Sequence, residues 1–414
     1  MLRFLGLDLA ACPARPTGYA VLDERGHLLG AGLVRTDGEI LELCREVAPA
    51  LVGIDAPLVP APPGGAGCET SLPAMRPCDR QLAGLGGRPL PLGFLAPLAR
   101  RAAGLHERLA GLGFAVREVH PRSSKLLLGI SCADPRSAPE EVRLSCARFV
   151  PNLGDWWAYM TGDVLDAVVA ALTVREEAAG RARRLGHPDE GLVTVPRSRC
   201  IRAVVFDLDG TLTPVASIWQ YIHEALGTWE SHGARYLAKY LAGEIDYRTF
   251  ALLDAGTWAG RRREELLALA NGIPLRPGAV EVARELRARG VRLAILSSGL
   301  DLLAARVARD LGCAVWVANG LGTRDGRLDG RVHIRVGWHD KPARLPALCR
   351  KLGVRPCEVA VVGDGVGDAL VFDRVGLAVA FNPAEEEVAR RADVVVRAED
   401  LRAVLPVLLE HLAP

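Results

Sequence analysis

The sequence predicts two α/β domains joined end to end, a mixed-sheet domain over residues 1–198 and a parallel-sheet domain over 199–414. Three observations carry this prediction. The chain is 414 residues long, beyond the size at which one hydrophobic core usually stops growing. Two segments open alike, Leu2 to Asp8 and Ile201 to Asp207, each with a basic residue, an apolar strand and then an aspartate. In the second half, apolar runs at 203–206, 291–296, 359–362, 377–380 and 393–396 alternate with helical patterns, the signature of a parallel sheet wrapped by helices.

In chain order, the first half reads as a strand to Leu9, a second near Gly18–Leu22 and a third near His27–Val34. Turn residues Asp23–Gly26 make the last two a meander. A helix follows, then the apolar run Leu51–Ile54 ending at Asp55, a strand near Ala115–Val119, and a helix from Asp163 to Ala179. Gly191–Pro196 reads as a last short strand before a brief linker, which places the boundary near 198. The halves share nothing beyond their first strands, so the chain reads as a fusion and not as a repeat. In the second half, core segments at 199–212 and 276–414 are interrupted by residues 213–275, which are helical and rich in Trp and Tyr. Coming directly after a first strand, they are placed to cap a site at its end.

Half of the residues are hydrophobic and 24% are charged, with a formal charge of +2. This is an ordinary globular balance that announces neither a nucleic-acid binder nor a membrane-surface protein. Arginine runs at 181–184 and 261–263 read as solvated faces of helices. Lysine occurs only at 125, 239, 341 and 351, which singles out Lys341. The ten cysteines include no Cys-x-x-Cys pair, so reduced thiols in a reducing compartment are expected, with no disulfides. Leu9-Ala-Ala-Cys12 ends like a lipoprotein signal, but Asp8 breaks the apolar stretch before it, and a buried first strand is the better reading. No apolar run approaches the roughly 20 residues a spanning helix needs. A cytoplasmic protein without a membrane partner is expected.

The segment Val204-Val-Phe-Asp-Leu-Asp-Gly-Thr211 is a buried strand running into a loop with carboxylates at Asp207 and Asp209. At i and i+2 of an extended segment both point to one side. Two adjacent carboxylates repel unless a cation or a shared proton intervenes. Mg2+ would do this and also screen an anionic phosphate from an anionic nucleophile. Ser297 ends the strand from Arg292, where its hydroxyl and the backbone amides of Ser298 and Gly299 can hold phosphoryl oxygens. Lys341 supplies a positive charge. Asp364, in Gly363-Asp-Gly-Val-Gly-Asp368, adds an oxygen ligand, and Asp368 would hold a metal-bound water or orient Lys341.

Together these residues resemble the four motifs of the haloacid dehalogenase superfamily, along the whole of the second half. The resemblance implies a Rossmann-like parallel-sheet domain with a small helical cap. It implies in-line attack by Asp207, with Asp209 acting as acid and then base and giving its backbone carbonyl to the metal. A small phosphorylated metabolite is the expected partner. Within the superfamily the half is similar to the phosphoserine phosphatase branch, through Val317-Ala-Asn-Gly-Leu321 and Asp325–Gly330. It departs from that branch where an acidic residue should receive the substrate ammonium, at Ala216, and where a cap arginine should receive the carboxylate, at Leu252. The cap instead offers Trp219, Tyr221, Trp229, Tyr247, Arg248 and Trp258. If several face the pocket the leaving group could be a ring. Trp219 and Arg248 are the expected substrate contacts, with Ser298 and Gly299.

In the first half, Asp8, Asp55, Asp163 and Asp166 form a candidate carboxylate cluster. Gly6-Leu-Asp-Leu-Ala10, Ile54-Asp-Ala-Pro-Leu58, Arg76-Pro-Cys-Asp79, Glu118-Val-His-Pro-Arg122, Asp163–Leu172 and Gly191–Pro196 resemble a family of predicted nucleases with a ribonuclease H-like fold. That fold uses such carboxylates to bind divalent metals, yet it also hosts domains without nuclease activity. Three accounts stay open: a phosphatase with a first domain of its own activity, a nuclease and terminal phosphatase that process nucleic-acid ends, and a phosphatase localised by a binding module. The oligomeric state is not readable.

Overall fold

The computed structural model describes residues 1–58, 75–134 and 137–413. It divides into two compact units, Met1–Cys200 and Ile201–Pro414, each built on a seven-stranded sheet.

The strands of the first unit are β1 (Arg3–Asp8), β2 (Thr17–Asp23), β3 (Leu28–Val34), β4 (Leu51–Ile54), β5 (Val116–Val119), β6 (Ala182–His187) and β7 (Gly191–Pro196). Their order is β3-β2-β1-β4-β5-β7-β6. β1, β2 and β3 pair antiparallel, β1, β4, β5 and β7 run parallel, and β6 closes the edge antiparallel. The helix Gly162–Ala178 lies across this sheet and is buried along most of its length. Small residues set how closely it packs. A Cβ at Gly6 would fall 2.0 Å from the carbonyl oxygen of Ala167, and one at Gly53 would fall 2.8 Å from that of Ala170. Glycine on the strands and alanine on the helix therefore let two backbones meet, and any side chain there would push them apart. The Arg183–Arg184 stretch, expected on a helix, lies in β6. Arg184 pairs there with Glu177 of the preceding helix at 2.5 Å.

The second unit holds β8 (Ala203–Phe206), β9 (Arg292–Leu300), β10 (Val315–Arg324), β11 (Arg327–His333), β12 (Val359–Gly363), β13 (Leu377–Phe381) and β14 (Val394–Val396), ordered β11-β10-β9-β8-β12-β13-β14. All neighbours are parallel except the hairpin β10–β11. Both faces of β8 are buried: Val204 and Phe206 enter one core cluster, Ala203 and Val205 the other. An uninterrupted apolar run is what a doubly covered parallel strand requires. The chain leaves β8 toward β9 and later returns to β12 on its other side. The strand order therefore reverses beside the carboxyl end of β8, which is where such sheets open a crevice.

The segment between β8 and β9 contributes the helices Ile218–Ala225, Ala234–Leu241, Tyr247–Thr257 and Arg263–Gly272. Ile218, Trp219, Ile222, Ala251, Trp258 and Leu266 share one core cluster with the sheet. The arginines at 261 and 262 precede the last of these helices instead of lying along it. Among the described residues, no helix is long and apolar enough to cross a membrane.

Candidate active site

At the reversal point the backbone N–H of Asp207 donates to the carbonyl of Val362 at 2.9 Å, tying the end of β8 to β12. The loop beyond turns through Gly210, whose φ is +79°, a conformation glycine adopts without the strain of a Cβ. Arg276 fastens this loop by donating to the carbonyl oxygens of Gly210 and Thr211. Thr211 Oγ1 in turn donates to Asp364 Oδ1 at 2.6 Å. Helix Lys341–Leu352 begins with Lys341, which is 3% exposed. Its Nζ lies 2.9 Å from Asp207 Oδ1 and 2.7 Å from Asp368 Oδ1.

One oxygen each from Asp207, Asp364 and Asp368 lies within 4.8 Å of the others, the only such set of metal-ligating type among the described residues. Burial and repulsion from Asp207 push the carboxyls of Asp364 and Asp368 up. Burial works against the Lys341 ammonium, but Asp207 and Asp368 outweigh it and hold Lys341 charged. One fixed cation therefore faces three crowded carboxylates. A Cβ at Gly210 would fall 2.1 Å from Asp364 Oδ2, so glycine keeps that oxygen open. This all-oxygen donor set with surplus negative charge fits a hard divalent cation such as Mg2+.

Asp209 stands apart from that set. Burial, and then the charge of Asp207, push its carboxyl up to about 7, and its Oδ1 is buried without a hydrogen-bond partner. A Cβ at Gly299 would fall 2.6 Å from Asp209 Oδ2. Ser297, 1% exposed, accepts from the Gly299 N–H through Oγ at 2.9 Å. The carbonyl of Ser298 accepts from Trp219 Nε1 at 3.2 Å, Tyr247 Oη at 3.1 Å and Asn319 Nδ2 at 2.9 Å.

These groups open onto a cavity of about 360 Å³ whose walls include Trp219, Trp229, Tyr247, Phe250, Trp338 and Asp254. Three of the six cap residues singled out from sequence thus reach it. Trp258 is fully buried and stacks on Trp219 with ring centroids 5.7 Å apart, and Tyr221 packs against the core. Arg248, an expected substrate contact, is exposed and lies outside the cavity wall. On helix Tyr247–Thr257 the positions facing the cavity are 247, 250 and 254, one helical stripe, and Arg248 falls off it. Leu252, the position compared with a substrate-binding arginine, is off the stripe too and 37% exposed. Asn319, Arg276 and the His223–Asp254 pair have no assigned role in the sequence, and Thr211 appears there only as the end of the Val204–Thr211 motif. Asn319 sat within the quoted Val317–Leu321 segment, which was the only signal available.

In the first unit, Asp8, Asp55, Arg76, Asp79, Arg88 and Glu118 line a cavity of about 230 Å³. Burial and the charges of Asp166 and Asp163 push Asp8 up to about 7. Asp55 is raised by burial and by Asp8 and Asp166. Asp166, however, is paired with Lys125, and Asp163 is exposed in the first turn of its helix. The four candidate carboxylates are neighbours, yet they do not form a set at metal-sharing distance. Lys125, one of the four lysines, takes the place of a cation beside Asp166. Behind them Arg76 holds Asp79 at 2.9 Å and Glu118 at 2.6 Å in a fully buried network.

The parallel sheet, its reversal point and the carboxylate set define a phosphoryl-handling hydrolase, and residues 201–376 match the haloacid dehalogenase-like hydrolase family, to which the chain belongs. It is a phosphoric monoester hydrolase of that family, similar to phosphoserine phosphatases. A phosphoserine phosphatase of Archaeoglobus fulgidus is 32% identical over 242 residues, 58% of this chain and 69% of that protein. One of Idiomarina loihiensis is 30% identical over 203 residues, 49% of this chain and 91% of that protein. A solved phosphoserine phosphatase carrying a phospho-aspartyl intermediate analogue is 25% identical with a TM-score of 0.45, covering 50% of this chain and 99% of that one.

Proposed function

We propose that the second unit is a Mg2+-dependent phosphatase that hydrolyses a small-molecule phosphate monoester through a phosphoaspartate at Asp207. The single observation that carries this reading is Lys341 Nζ lying between Asp207 and Asp368 at 2.9 and 2.7 Å. That contact fixes the nucleophile's carboxylate beside the buried ammonium of Lys341. Asp207 and Asp364, with the Asp209 backbone carbonyl, would hold Mg2+, and Asp368 anchors Lys341. The ion, when bound, neutralises charge on the phosphoryl group.

Asp207 attacks phosphorus while Asp209, whose carboxyl is pushed up to about 7 by burial and by Asp207, gives its proton to the departing alkoxide. Asp209, now ionised, takes a proton from water, which attacks the phosphoaspartate and frees Asp207. Ser297 and the amides of Ser298 and Gly299 receive phosphoryl oxygens, and Lys341 stabilises their charge. Trp219 forms part of the leaving-group wall. The test is phosphate release from p-nitrophenyl phosphate and a metabolite panel, with Mg2+ and with chelator, for wild type and Asp207→Asn. Turnover that survives either chelation or the substitution would remove the reading.

For the first unit we propose a ribonuclease H-like domain. The mixed order of β3-β2-β1-β4-β5 and the meeting of Asp8, Asp55 and Asp166 beside it support this. Metal-dependent cleavage of single- and double-stranded oligonucleotides, abolished by Asp8→Ala, tests whether it is a nuclease. Equal behaviour of the two proteins would leave it a binding module.

A further inference from the structure

Asp254 is a buried acidic group of the substrate cavity that the phosphatase chemistry does not use. It is 1% exposed, it lies on the wall, and its Oδ1 accepts from His223 Nε2 at 3.1 Å. His223 is itself fixed by Thr228 Oγ1 at 2.7 Å on its other nitrogen and packs on Trp258, 4.7 Å between ring centroids. The carboxylate is thus held in one orientation on the cavity wall.

Apart from its partner His223, no basic side chain answers it there. Lys341 is the only lysine or arginine on the described cavity wall, and Asp207 and Asp368 already engage it. Glu385, also on the wall, is acidic too. The same wall carries the rings of Trp219, Trp229, Tyr247 and Phe250. Aromatic faces attract an organic cation and do nothing for a carboxylate. The position compared with a carboxylate-binding arginine faces away, as described above, while Ala216 on the wall is uncharged.

We propose that this cavity selects phosphate monoesters whose alcohol carries an ammonium group and no carboxylate, with Asp254 as the specificity-determining residue and the aromatic wall covering the cation. The proposal rests on the phosphatase reading above. It places phosphoserine, whose carboxylate would meet Asp254 and Glu385, below a simple amino-alcohol ester.

The experiment compares kcat/KM of the full chain for phosphocholine and phosphoethanolamine with that for 3,3-dimethylbutyl phosphate, the uncharged isostere of phosphocholine, and for phosphoserine. Wild type should prefer the charged, carboxylate-free esters by about tenfold or more, chiefly through KM. In Asp254→Asn that ratio should fall toward one, with circular dichroism reporting the fold. If wild type turns over the isostere or phosphoserine as well as phosphocholine, the proposal is overturned without any variant. A folded Asp254→Asn that keeps the wild-type ratio overturns it as well. Loss of Asp207-dependent turnover on p-nitrophenyl phosphate is a separate outcome and removes the phosphatase reading itself.

Discussion

The ammonium of Lys341 lies 2.9 Å from Asp207 Oδ1, although the two residues are 134 positions apart in the chain. Helix Lys341–Leu352 starts at that lysine, and the strand β8 stops just before that aspartate. Two element ends therefore meet at one edge of the sheet. Replacing Lys341 with Met should lower kcat by about 10²–10³-fold, the usual loss for one transition-state donor. Steady-state kinetics on p-nitrophenyl phosphate measures this, and a near-normal kcat would place the phosphate charge elsewhere.

Gly210→Ala is expected to strike the carboxylate set without touching a ligand. The φ of +79° costs an alanine about 1–2 kcal/mol, and the new methyl would meet Asp364 Oδ2 at 2.1 Å. Asp364 must move. Titration calorimetry with Mg2+ should show weakened binding together with a lower Tm, whereas strain alone would lower Tm and leave the affinity as it was.

Asn319 holds two backbone segments together through one buried carboxamide. It donates to the carbonyls of Ser298 and Val336 and accepts from the N–H groups of Arg335 and Val336, all at 2.8–2.9 Å. Asn319→Ala should cost roughly 2–4 kcal/mol in denaturant unfolding, because several buried groups lose their partner together. KM should rise as the Ser298 loop loosens.

The first unit should respond to pH through Asp8. Its carboxyl is raised from 3.8 to about 7, so between those values the folded state binds more protons than the unfolded one. Stability from this group is greatest below the unfolded value and is lost as pH rises through about 7. Asp8→Asn should therefore raise Tm at pH 8 more than at pH 4, by the equivalent of about 1–2 kcal/mol after solvent screening. Equal effects at both pH values would show that the charge is not responsible.

Much of this architecture was readable along the chain. The buried strands at 203–206, 359–363 and 377–381 are short runs of Val, Ala, Phe and Leu, closed in the second by Gly363, because a strand covered on both faces has no polar side to show. The hairpin β10–β11 is also written in the chain. Its Asp325-Gly326 turn takes φ of +51° and +74°, the conformation that Asp-Gly turns favour. The arginines of β6 misled because charge on an edge strand looks like charge on a solvated helix when neighbouring elements are unknown.

By itself the sequence determined which residues could do chemistry: acidic loop ends after apolar strands, a serine at a strand end, a lone lysine, and glycines where a loop must turn. These are local requirements, written within a few residues of one another. Only the tertiary structure decided which of them meet and which others join them. Arg276 reaches the Gly210 loop, Lys125 occupies Asp166, and Asp254 comes to the cavity through a helical stripe that excludes Arg248 and Leu252. Contacts of this kind join residues tens of positions apart, and their energy appears only when burial removes water from both partners.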